Sequence, residues 1–226
     1  MHRSNSWACC YLLALVAAGG VVASQGGCAQ VLTTAVYLIK GTDVEPEFAG
    51  LKDKTVAIVC HPAPSLQFGS SSVATEIAAE VGRRLKKHLN KKIKIIPARD
   101  VDNWIDENSR GEDDFADIGN ALEADMVLGI DLEAFELTQG QTLWQGQSQV
   151  RLKVLDMNIE DERDRVVFDK IMPHVVYPPK AGIPVQERSG DEFRRQYVGI
   201  LADTIGRYFY SHNPYDNIAQ DAREFN

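Results

Sequence analysis

Cysteine is scarce in this chain: four residues among 226, at positions 9, 10, 28 and 60. Cys9 and Cys10 sit inside an apolar leader and leave with it, so a multi-disulfide scaffold is excluded. Cations are in deficit as well. With 24 Lys and Arg against 32 Asp and Glu the formal charge is −8, and loss of the leader removes only Arg3. That balance argues against nucleic acid, which rewards clustered Lys and Arg. It argues equally against electrostatic adhesion to anionic lipid. Any membrane attachment is then expected to be covalent.

Catalytic signatures are missing too. There is no Gly-x-x-x-x-Gly-Lys-Ser/Thr loop to cradle a triphosphate, and no Gly-x-Ser-x-Gly elbow to present a nucleophile. The five histidines, at 2, 61, 88, 174 and 212, show no ligand spacing. Asp100-x-Asp102 opens like a calcium loop, but Ile105 stands where glycine is needed and Gly111 where the bidentate glutamate is needed. Asp156-x-Asn158-x-Glu160 fails in the same way at Asp161. The expectation is a non-catalytic protein with no cofactor and no metal.

What is present begins at the amino end. His2 and Arg3 precede an apolar run from Tyr11 to Ala23, which is shorter than the ~20 residues of a membrane span. Small and polar residues follow, then Gly27-Cys28. This is the layout of an export signal, and Gly27-Cys28 resembles the end of a bacterial lipobox, although Gln25 stands where that motif carries an aliphatic residue. Residues 1–27 read as a lipoprotein signal peptide. Cys28 reads as the acylated first residue, carrying chains such as palmitate. One acyl chain binds a bilayer only marginally, whereas two or three anchor it stably. The alternative is a soluble secreted chain cut after Ala23, in which Cys28 is free or bridged to Cys60.

Residues 28–50 hold a short apolar stretch and a linker with Pro46. A globular domain is expected over 51–211, with a polar tail at 212–226. Thr55–Cys60 is a continuous β-branched apolar run, as in a strand buried on both faces. His61-Pro62-Ala63-Pro64 ends it. Ser70–Ser72 then reads as the cap of an amphipathic helix with Val73, Ile77, Val81, Leu85 and Leu89 at four-residue spacing. Ile93–Pro97 is a short strand. Two small helices around Val101 and Ile118 precede a long strand from Met126, a turn at Thr138–Gln141, and a return strand from Leu143 to Leu155. A third antiparallel strand is predicted from Val166 to Val176, and a last helix from Gly190 to Ser211. The order β-α-β-α-α-β-β-β-α gives a mixed α/β fold, with helices packed on a sheet that ends in an antiparallel meander.

That order, with the phrase Ile118-Gly119-Asn120-Ala121-Leu122-Glu123-Ala124-Asp125-Met126-Val127-Leu128-Gly129 and the strand Leu152-Lys153-Val154-Leu155-Asp156, resembles the CsgG/LpoB/TolB-N-like envelope lipoproteins. The match runs from Lys54 to about Asp169. It implies a periplasm-facing scaffold that binds envelope proteins. It does not imply a secretion pore, because no pair of long alternating segments suits a lipid-crossing hairpin.

Site candidates follow from the residues. His61, Gly69, Ser70, Ser71 and Ser72 flank the loop after the first strand, where open α/β sheets place ligands, and a small-ligand or anion site there is the alternative function. His61 with one of these serines is the third reading, a hydrolase pair. Trp104, Trp144 and Tyr210 are candidate partner contacts, with core packing as the competing role for each tryptophan. Homo-oligomerisation is compatible with all of this.

Overall fold

The computed structural model describes residues 43–63, 67–108 and 115–214, the side chains of 67–72 and of Lys91 excepted. The leader, Cys28, the apolar stretch after it and most of the tail lie outside the described residues. Glu45–His212 form one unit.

Its sheet is built around β1 (Lys54–Pro62), which pairs in parallel with β2 (Ile93–Ile95) on one side and β3 (Met126–Gln139) on the other. The uninterrupted apolar run of β1 has a simple cause. Val56 and Ile58 feed one core while Ala57 and Val59 feed another on the opposite face. The first core lies under α1 (Gln67–Leu89), whose Val73, Ile77, Val81, Leu85 and Leu89 are all buried. The second lies under α2 (Ala98–Asn108) and α3 (Phe115–Ala121), through Val101, Phe115 and Ile118.

From β3 onward pairing is antiparallel. β4 (Leu143–Asp156) returns along β3 and in turn receives β5 (Val166–Ile171), β6 (Val175–Tyr177) and β7 (Ile183–Pro184). The main path is β2-β1-β3-β4-β5. α4 (Gly190–Gly206) starts at Ser189, whose hydroxyl accepts from the Glu192 amide at 3.3 Å, and buries Phe193, Tyr197, Leu201 and Ile205. The fold class is mixed α/β with helices packed on the sheet, as the order of elements predicts.

Three details differ from the sequence reading. The strand predicted over Val166–Val176 is split, because Pro173 has no amide to give the ladder. Met172 just before it turns inward, at 2 % exposure, with its amide donating to the Val150 carbonyl at 2.9 Å. The helix predicted to be capped by Ser70–Ser72 begins at Gln67, so those serines fall in its first two turns. The last helix ends at Gly206, and residues 207–209 continue as a turn.

Candidate functional site

The carboxyl end of β1 presents Cys60 and His61 as successive strand residues, so their side chains point to opposite faces of the sheet. Cys60 packs against the α1 core. Burial, then the nearby carboxylates of Asp131 and Asp102, push its thiol well above the ordinary range, which keeps it protonated at neutral pH. On the other face the His61 ring stacks on Phe115, with centroids 4.5 Å apart and planes at 15°. Asp131 is in register with His61, but its carboxylate pairs with Lys153 Nζ at 2.9 Å. Lys153 in turn lies over the Phe115 ring at 5.8 Å. These groups pack one another; a thiolate–imidazolium pair is not assembled here.

Gly69 and Ser70–Ser72 lie within α1, and their side chains lie outside the described residues, as do Pro64–Leu66. Asp102 faces this end from α2. Burial raises its carboxyl, and a hydrogen bond from Thr75 works in the opposite direction.

Each aromatic residue singled out as a partner contact is placed clearly. Tyr210 is 4 % exposed, its ring stacked on His88 with centroids 3.9 Å apart. It is therefore not an exposed anchor. The helix stops at Gly206, and the turn that follows swings Tyr210 back against α1. Trp104 is half-buried against the α2–α3 core. Trp144 is half-buried too, donating from Nε1 to the Arg188 carbonyl at 2.9 Å and stacking on Phe193 at 5.8 Å. Packing occupies at least one face of each ring.

Two glycines in the α3–β3 phrase are explained by close approach. A Cβ on Gly119 would stand 2.5 Å from Val127 Cγ2, and one on Gly129 would stand 2.6 Å from the Phe115 ring. Asp125 between them is a latch. Its carboxylate accepts from the Thr55 amide at 2.7 Å, and its own amide donates to the Thr55 carbonyl at 2.9 Å. It fixes the start of β1 against the start of β3.

What the sequence does not show is the apolar flank of the outer strand. β5 has β4 on one side and no strand on the other among the described residues. Val166, Val167 and Ile171 are 45 %, 39 % and 59 % exposed, and Val176 of β6 lies on the same flank at 36 %. Arg151 grips Asp169 through two hydrogen bonds, Nε to Oδ1 at 2.7 Å and Nη2 to Oδ2 at 2.6 Å, which clamps β5 to β4. The guanidinium holds the Asp169 carboxyl below the usual carboxylate range. An apolar, backbone-open edge of this kind is a surface that another strand or chain can cover.

No family model matches the chain, and no curated protein does. Solved structures do match. The PelC dodecamer from Paraburkholderia phytofirmans is 12 % identical over 74 % of this chain and 93 % of that one, with a TM-score of 0.43. Lipoprotein GNA1162 from Neisseria meningitidis is 12 % identical over 67 % and 96 %, with a TM-score of 0.36. The LpoB C-terminal domain from Salmonella enterica is 10 % identical over 56 % and 87 %, also at 0.36. Structural neighbours thus include bacterial lipoproteins. Scores of this size carry no functional argument.

Proposed function

We propose that this chain is a non-catalytic envelope lipoprotein, tethered through Cys28, facing the periplasm, and serving as an adaptor for other envelope proteins. The observation that carries the reading is the Gly27-Cys28 junction behind a short apolar leader. The domain supports it in two ways. Cys60 is a half-buried thiol pushed above its ordinary range, and His61 is engaged in ring stacking on the other face. The β5–β6 flank keeps Ile171 and three valines at the surface, where a partner protein removes them from water at roughly 25 cal/mol per Å² of apolar area. Edge-to-edge pairing of two copies is the homo-oligomeric form of the same reading.

The test joins tether and surface. Metabolic labelling with a fatty-acid probe is expected to mark the wild type and not Cys28→Ala. A photo-cross-linker at Ile171 is expected to capture a discrete envelope protein or a second copy, and one at exposed Lys180 is not. Label persisting in Cys28→Ala contradicts the tether. Equal capture at both positions contradicts the docking flank.

A further inference from the structure

Net charge conceals how the charges are arranged. From Val81 to Arg99 the sequence has eight lysines and arginines and no acid, in a chain whose formal charge is −8. The fold gathers most of this run at one rim. α1 ends with Lys86, Lys87 and His88, a short 3-10 turn (Asn90–Lys92) follows, and β2 begins at Ile93. The turn before β1 joins them, because the Asp53 amide donates to the Lys92 carbonyl. Leu51, Leu85, Leu89 and Ile93 lie in one core cluster beneath, so Lys52, Lys86, Lys87 and Lys92 share the surface above it. All four are exposed, as is Lys94 on β2.

Elsewhere on the surface carboxylates hold several of the basic groups: Arg151 by Asp169, Lys153 by Asp131, Lys170 by Glu47, Arg194 by Glu76. At the rim, Lys52, Lys86, Lys87, Lys92 and Lys94 make no ion pair among the described residues. The C-terminal dipole of α1 accounts for Lys86 and Lys87 at its last turn. It does not account for Lys52, Lys92 and Lys94, which stand on other elements.

The chain also enters the domain here. The Phe48 amide donates to the Tyr208 carbonyl, and three residues later Leu51 is buried among the rim's core residues. Cys28 lies 15 residues before Asp43, a length that spans at most about 50 Å. We propose that the Lys52–Lys86–Lys87–Lys92–Lys94 rim docks on anionic phospholipid headgroups of the membrane that holds the tether. Low total charge does not oppose this, because a surface charge is felt only within about a Debye length, ~8–10 Å. The proposal deepens the tether reading and rests on it for orientation; the rim's lipid affinity can be measured without acylation.

The experiment uses the mature chain from Cys28 carrying Cys28→Ser, sedimented with vesicles of phosphatidylcholine alone or mixed with phosphatidylglycerol. Partition to the anionic vesicles, lost at high salt, is expected. At ~1 kcal/mol per cation near such a surface, or about fivefold each, Lys86→Gln/Lys87→Gln/Lys92→Gln lowers partition by about a hundredfold, and the matching Glu variant lowers it further. Exposed Lys180→Glu leaves it unchanged. An unaltered thermal midpoint separates lost binding from lost folding. Equal sedimentation with both vesicle types overturns the proposal, as does a triple variant that binds like wild type. Binding to an acidic polypeptide without binding to vesicles assigns the rim to a protein and also overturns it. None of these failures touches the fatty-acid label at Cys28, which reports on the tether alone.

Discussion

Tyr197→Phe is the sharpest probe of how the hairpin and α4 are locked together. The Tyr197 hydroxyl lies 2.7 Å from Ser148 Oγ and 2.9 Å from the Val175 carbonyl. The carbonyl can only accept, so Tyr197 donates to it and the serine hydroxyl supplies the other bond. Ser148 is 0 % exposed and Tyr197 is 0 % exposed. Removing the hydroxyl leaves two polar groups without this partner, each costing about 1–3 kcal/mol where water cannot replace it. Relaxation recovers part of this, so a loss of about 2 kcal/mol is expected. For a unit of this size that is a fall of about 4–8 °C in thermal midpoint. Ser148→Ala removes one bond but spares the carbonyl, and about 1 kcal/mol is expected. In the double variant no serine hydroxyl is orphaned, so its cost falls short of the sum by about 1 kcal/mol. Urea unfolding of all four proteins gives the cycle, with a constant m-value confirming that the unfolded reference is shared. Strict additivity, or a Tyr197→Phe cost below about 0.5 kcal/mol, would refute the coupling.

Three further outcomes follow from the same geometry. Gly129→Ala places a methyl against the Phe115 ring and is expected to cost about 1–3 kcal/mol in urea unfolding, with part of it recovered by adding Phe115→Leu. Tyr210 is pushed up to about 12, by burial first, so above its ordinary value near 10 the unfolded chain ionises while the folded one does not. Stability should therefore be full below pH ~10 and fall between ~10 and ~12. Tyr210→Phe flattens that fall without abolishing it, since Tyr197 is raised in the same direction. Cys60 in the native protein should react with iodoacetamide far more slowly at about pH 8 than in urea, and equal rates would contradict a half-buried thiol held above its ordinary range.

Much of the fold is written in periodicity. The β1 run, the four-residue spacing in α1 and the alternation through Val150, Leu152 and Val154 each match one surface being buried, and each appears where read. Local signals fail where a tertiary contact overrides them. Met172 abandons the edge strand to fill the core, and no neighbour in sequence announces it. Tyr210 looks superfluous along the helix because its partner, His88, lies on another element. The β5 flank is hidden for a related reason. Which valines stay exposed depends on β5 being outermost, and strand order is not contained in β5 itself. Composition misleads most over charge. An acidic total argues against anionic surfaces, whereas the basic run from Arg83 to Arg99 becomes visible as a rim only when β1 and β2 are paired.

The most direct measurement is the intact mass of the mature protein extracted from membranes with detergent. A chain that begins at Cys28 and carries the added mass of two or three acyl groups is the expected result. An unmodified chain beginning at Ser24, recovered from the soluble fraction, would contradict a tether at Cys28 and the adaptor role built on it.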